Sequence, residues 1–324
     1  MKLRTLALTA AIAWVGFMGG PALADGLSRF EKAIKPQFPP DSVTYKSSKA
    51  LGDNGFELDD VTVTPPPSGK DDKPQPVKIK AVTVEALDFD AIDKQQPPLF
   101  AKIKFDGVTT GSSAGGFDLK QMARLDTVAA DFGIDYKLDT AKQTFTLKRM
   151  ELNLNGLGKL ETSFVIDGIS ADATSQPDKA LDSASLKTAN LIYDDHSLLS
   201  IAIPIAASMQ GSDPKSLMAM AITFLDAARI GQREKTQKAI DSLVAYIEDY
   251  QKPKGPLKIA LDPPGKVSNA DLSNAKSADE MVKLLGIEVS YAGVRSSTPA
   301  EAAVGAGSKD KDEDDDKDMD KKKK

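Results

Sequence analysis

Between Phe56 and Ile166 apolar residues mostly alternate with polar ones, the period of half-exposed strands. Phe56 and Leu58, then Val61 and Val63, predict a strand in which Asp59-Asp60 shifts the phase, as a β-bulge would. Val77–Val84 and Ala101–Val108 repeat the pattern, and the three segments together read as a weak internal repeat of strand and connection. A meander follows. Ile134, Tyr136 and Leu138 form one strand, Phe145, Leu147, Met150, Leu152 and Leu154 the next, and Leu160, Thr162, Phe164 and Ile166 the third. Turns at Asp139–Gln143 and Asn155–Gly158 separate them. Further strands are predicted at Leu186–Tyr193, Leu257–Leu261 and Ile287–Tyr291.

Helical spacing occurs elsewhere. Leu27, Phe30 and Ile34 open the chain after residue 25 and stop at Pro36 and Pro39-Pro40. Asp118, Met122, Leu125, Ala129 and Phe132, followed by Gly133, predict a helix over 118–132. Residues 197–209 are almost wholly apolar, with Pro204 inside. Asp213-Pro214 caps a helix carrying Leu217, Met220, Ala221, Phe224 and Ala228. Another spans 234–250 with Ile240, Leu243, Ile247 and Tyr250. Ser277 and Glu280 form a capping box ahead of Met281, Leu284 and Leu285, stopped at Gly286.

These elements predict an α+β fold: a long, twisted, mainly antiparallel sheet with C-terminal helices packed on one face. One domain is expected over 25–295, β-rich at 42–168 and helix-rich at 185–293. The Pro-rich stretch 65–76 and the polar stretch 169–184 read as connections. Residues 296–324 pass from Ala, Gly, Ser and Pro to the acidic run Asp310–Asp320 and then Lys321–Lys324, a disordered charged tail.

Composition adds a compartment. Lys2 and Arg4, the apolar run Leu6–Met18 and Ala22-Leu23-Ala24 make residues 1–24 a cleavable signal peptide, so a periplasmic location is expected. No later segment is long enough to span a membrane. The chain has no cysteine, which excludes disulfides, thiol nucleophiles and a lipid-anchored N-terminus. Its net charge of −5 argues against nucleic acid as a partner.

Candidate chemistry is sparse. Gly111-Ser112-Ser113-Ala114-Gly115 matches a nucleophile elbow, with Asp131 or Asp167 and then His196 in α/β-hydrolase order. Elbows belong to parallel sheets of buried strands, whereas these strands alternate, so a Gly/Ser loop is the stronger reading. His196 is the chain's one histidine. With no cysteine beside it, a helix-capping segment at Asp194–Ser197 is favoured over a metal ligand. The acidic tail departs from an EF-hand, with Asp315 where the loop needs Gly and Lys321 where it needs Glu. No cofactor and no metal are expected.

Three C-terminal segments carry a resemblance: Leu191-Ile192-Tyr193-Asp194-Asp195, the run Gly255–Pro264, and Leu284–Tyr291. They resemble Gram-negative envelope proteins of curved antiparallel sheet with helices, distantly similar to AsmA-like proteins. That resemblance implies envelope maintenance or lipid handling and transfers no catalytic residue. The expectation is a non-enzymatic exported protein that binds a lipid or other apolar ligand between sheet and helices. Leu199, Ile203, Met220, Phe224, Leu243 and Ile247 are the residues expected to line the site. The alternative is a periplasmic scaffold that engages an envelope protein partner through strand edges or the tail.

Overall fold

The computed structural model describes residues 25–66, 76–109, 129–169 and 183–297. The expected signal sequence at 1–24, the Gly111–Gly115 motif, residues 118–128 of the expected helix, most of 169–184 and the tail from 298 lie outside them.

Eleven strands form one antiparallel sheet. In chain order they are β1 (Val43–Thr44), β2 (Ser47–Ala50), β3 (Phe56–Val63), β4 (Val77–Leu87), β5 (Phe100–Thr109), β6 (Ala129–Asp139), β7 (Thr144–Leu154), β8 (Gly158–Asp167), β9 (Ser185–Asp195), β10 (Leu257–Leu261) and β11 (Glu288–Ser290). From β3 to β11 each strand pairs with the next in sequence, while β1 and β2 both pair with β3. The helices are α1 (Gly26–Arg29), α2 (Phe89–Asp93), α3 (Leu198–Met209), α4 (Pro214–Arg229), α5 (Glu234–Glu248), α6 (Asn269–Asn274) and α7 (Ala278–Leu285). A π turn over Phe30–Ile34 and a 3-10 turn over Lys35–Gln37 continue α1.

The helix expected at 118–132 is corrected where it can be seen: Ala129–Phe132 begin β6, and Gly133, expected as a helix stop, pairs mid-strand with Lys104. Ala129 and Phe132 suit a helical period, but Ala130, Phe132, Ile134, Tyr136 and Leu138 also alternate, and pairing to β5 and β7 decides between them. The phase change in β3 is present, though without an inserted residue. Asp60 takes a left-handed φ of 49°, and the register to β4 runs unbroken from Asp59↔Ala81 to Val61↔Ile79.

True register shifts occur in each of the five pairs from β4·β5 to β8·β9. In β5 the shift falls at Asp106-Gly107. Gly107 has φ 62°, and its N–H donates to Asp131 Oδ1 at 2.8 Å. A bulge raises local twist, so this series coils the sheet.

Each end of the sheet has a packed cap on the same face. At the N-terminal end, Phe30 stacks on Phe56 at 4.6 Å between centroids, and Phe89, fully buried, lies 6.4 Å from Phe56. Arg29 holds α1 to α2 through Asp90 and Asp93 at 2.6 and 2.7 Å. At the other end α5 lies on β9–β11. Its Tyr246 meets Tyr193 and Tyr291 edge-on at 6.3 and 5.1 Å, and Ile240, Val244 and Ala245 are buried. α3 and α4 pack in series onto α5.

The local expectations hold in part. Asp213 Oδ1 accepts from Lys215 N and Ser216 N to start α4. Ser277 caps α7 through Glu280 N, while the Glu280 carboxylate accepts from Lys276 N rather than closing back on Ser277. A full capping box instead sits at Ser268 and Asp271. Ser296 and Ser297, expected to begin the tail, are tied by their N–H groups to Glu248 at 2.6 and 2.8 Å. Among the described residues no helix is long and apolar enough to cross a membrane.

Candidate functional site

The strand registers align apolar side chains into rows that run across the sheet. One row is Leu58, Val82, Phe105, Phe132, Leu152, Leu160, Tyr193 and Leu257, each paired with the next over eight strands. A second runs Phe56, Val84, Ile103, Ile134, Met150, Thr162, Leu191, Ile259 and Val289. Its one polar member, Thr162, donates its hydroxyl to the Asn190 carbonyl at 3.0 Å. A third holds Leu87, Ala101, Tyr136, Leu147, Phe164, Ala189 and Leu261. A one-residue slip would turn a whole strand over. The bulges therefore lie where they leave these rows on one face.

The opposite face is charged. Lys104, Gly133, Glu151 and Glu161 form its corresponding row. Lys159 pairs with Glu151 and Glu161 at 3.1 and 3.5 Å, and Arg149 reaches the same two carboxylates. Lys104 meets Asp106 at 2.7 Å, and this pairing raises the lysine pKa although burial opposes it.

Burial along the apolar face is uneven. Beneath the N-terminal cap, Phe56, Leu58, Val82 and Val84 are buried. Along β6, β7 and β8, Leu138 and Leu147 are the buried large apolar side chains. Phe132, Ile134, Phe145, Met150, Leu160 and Phe164 are half-buried, and Leu152 is 38% exposed. Aromatic rings step across this stretch: Phe105 to Phe132 at 6.1 Å, Tyr136 to Phe145 at 5.7 Å, and Phe145 to Phe164 at 5.8 Å. A trough of half-covered apolar side chains thus connects two packed ends.

At the β9–β11 end the trough meets a groove of about 580 Å³ beside α5. Leu191, Ile259 and Val289 line it from the apolar face and Ala239 from the helix, with Lys235 and Lys238 beside them. Lys235 is paired with Glu288 at 3.3 Å and Lys238 with Glu234 at 2.7 Å. A second hollow of about 490 Å³ lies against α7, lined by Val267, Asp271, Lys283 and Leu284 among others.

A polar knot sits on the apolar face at the end of β9. Asp195, 4% exposed, accepts from the Tyr193 hydroxyl at 2.7 Å and from Leu199 N at 3.0 Å through Oδ1. It therefore caps α3, as expected of Asp194–Ser197. Its Oδ2 and the hydroxyl of Tyr246 are buried with no hydrogen-bond partner among the described residues. Burial pushes the Tyr193 and Tyr246 phenols up, and the Asp195 charge adds to both.

The six residues expected to line a ligand site do not come together in either hollow. Leu199, Ile203, Leu243 and Ile247 are half-buried. Met220 and Phe224 stand on the outer side of α4, 58% and 74% exposed, and line neither hollow. α4 carries two apolar stripes, and its inner one is formed by Leu217, Met218, Ala221, Ile222 and Leu225. Periodicity finds such stripes without saying which packs inward. The sheet residues of the trough were missed as a site. Their signal, alternation in neighbouring strands, marks one apolar face of the sheet without saying which residues a ligand would meet.

Of the residues in the hydrolase pattern, Ser113 lies outside the described residues, and the others have local partners. His196 is exposed and lies 3.6 Å from Asp194, Asp131 accepts from Gly107 N and the Asn153 amide, and Asp167 accepts from the Thr144 hydroxyl. Among the same residues no group of three metal-ligating side chains converges.

A family model described as "Uncharacterized protein" matches residues 151–292, from β7 to just past β11. The comparison with curated proteins returned no match.

Proposed function

We propose that this is a non-enzymatic carrier or holder of an apolar chain, with a lipid as ligand, working in the periplasm after export. The observation that carries the reading is the trough: rows of apolar side chains across β5–β9 that are half-covered among the described residues, between two packed ends. A soluble domain ordinarily buries such a surface or uses it. An acyl chain laid there recovers about 2.5 kcal/mol for each ~100 Å² of apolar area removed from water. The groove beside α5 extends the same surface, and its lysines stand where an acidic headgroup would meet solvent.

Native mass spectrometry of the protein purified from a Gram-negative periplasm without detergent tests the reading. A bound mass in the lipid range, released on denaturation, is expected. A protein that emerges bare, and stays bare after incubation with phospholipid vesicles, overturns it.

A further inference from the structure

Phe224 is 74% exposed, one helical turn from Met220 at 58%. With Ser216, Ala219, Thr223, Ala227 and Ile230 they make up an exposed face of α4 that carries no charged residue over its length. The helix is partly inside out, because its buried member is Asp226 at 8% exposure. Met209, at the end of α3, is 71% exposed.

The dimensions and the flanking charges say what meets this face. From Ala219 to Ile230 the stripe is ~16 Å long and ~10 Å wide. That is an area of ~160 Å², against ~800 Å² per partner for a stable protein interface. A second copy of the chain or a folded partner would find too little to hold. A bilayer has no such threshold, because each apolar side chain that enters the interface contributes independently. Exposed cations stand at both ends, Lys215 beside Ser216 and Arg233 beyond Ile230, and neither side chain has an ion-pair partner among the described residues. Of the exposed acids beside these cations, Asp213 spends its carboxylate on Lys215 N, Ser216 N and the Ser216 hydroxyl, and Glu234 is paired with Lys238 at 2.7 Å.

We infer that the outer face of α4 is a membrane-docking surface that lies in the headgroup boundary of an anionic bilayer, with Met220 and Phe224 inserted and Lys215 and Arg233 at the phosphates. This goes beyond the carriage of an apolar chain in the trough, and either reading can fail alone.

The chain has no cysteine, so Phe224→Cys gives one site for an environment-sensitive fluorophore. With vesicles of phosphatidylcholine and phosphatidylglycerol its emission should shift to the blue, and the shift should shrink as salt is raised. The same label at Lys187→Cys, on the charged face, should not respond. In a flotation assay with these vesicles, Met220→Ser with Phe224→Ser should reduce association about tenfold or more. The double variant should keep any mass bound in native mass spectrometry, because neither residue lines the trough. A label at position 224 that ignores vesicles, a shift produced by raised protein concentration alone, or a double variant that floats like the parent overturns the inference.

Discussion

Arg295 Nη2 lies 2.5 Å from Asp226 Oδ1, and the two side chains are 7% and 10% exposed. Arg295 Nη1 also meets Asp241 at 2.8 Å, and Arg229 Nε meets the same carboxylate at 3.0 Å. The segment after β11 is thereby bolted to α4 and α5, and the buried carboxylate sits in the last turn of α4.

Removing one partner of a buried pair strands the other. Arg295→Ala should lower unfolding free energy by about 3 kcal/mol. The double change Arg295→Met with Asp226→Leu should recover most of it, since apolar replacements of similar volume leave no buried charge. Urea unfolding of the three proteins measures this, and an unaffected single variant would count against the network.

Leu152 sits at the open centre of the trough and its side chain is the most exposed of the large apolar ones on β6–β8. Leu152→Glu should therefore shift stability by less than about 1 kcal/mol. It should also abolish any lipid mass seen by native mass spectrometry, because a carboxylate in the middle of the row must be desolvated by the ligand. Lipid retained at the parent level would dissociate ligand from trough.

Two tyrosines in contact should answer differently to loss of a hydroxyl. Tyr246 buries a hydroxyl with no partner, so Tyr246→Phe should be neutral or stabilising by up to about 1 kcal/mol. Tyr193 donates to Asp195, so Tyr193→Phe should cost about 2 kcal/mol, as it leaves a buried carboxylate short of a donor. Thermal unfolding of both variants, read side by side, decides; equal shifts would defeat the assignment.

Alkaline pH should unfold the chain through its phenols. Burial, with the Asp88 charge adding, pushes Tyr136 up to about 12, and burial raises Tyr193 and Tyr246 as well. The neutral form is favoured in the folded state, so its stabilisation is complete below the unfolded value of about 10. It is lost as pH climbs from there through about 12. Phenolate absorbance from these residues should therefore appear together with loss of the β-sheet circular dichroism. Full ionisation near pH ~10 with the fold intact would contradict the burial.

Gly286 closes α7 at φ 62°, and a Cβ there would come within 2.0 Å of the Asp262 carbonyl oxygen. Gly286→Ala should destabilise by roughly 1–3 kcal/mol, as strain plus a backbone clash. Denaturant midpoints test it, and an unchanged midpoint would require the β10 end to yield freely.

The strands were readable wherever alternation and turn chemistry agreed. β3 and β10 fall on the expected residues, and the Asn155–Gly158 turn lies where Asn-Gly predicted it. The start of β6 was not readable, because Met122, Leu125, Ala129 and Phe132 satisfy a helical period and only neighbouring strands outvote it. The orientation of α4 was hidden for a related reason. What turns Phe224 outward is Asp226, and its partner Arg295 lies far along the chain. The trough was hidden because alternation says that one side is apolar, not whether anything covers it.

The rows of the trough run across the strands, so the length of a chain laid along them, as proposed above, would be set in strand spacings. From β5 to β9 there are four spacings of about 4.8 Å, or ~19 Å. One leaflet's share of a ~30 Å hydrocarbon core is ~15 Å. Lengthening the strands would not change the chain length held there. Inserting or deleting one hairpin would change it by about two spacings, so strand number, not strand length, would be the ruler for a ligand laid there as proposed.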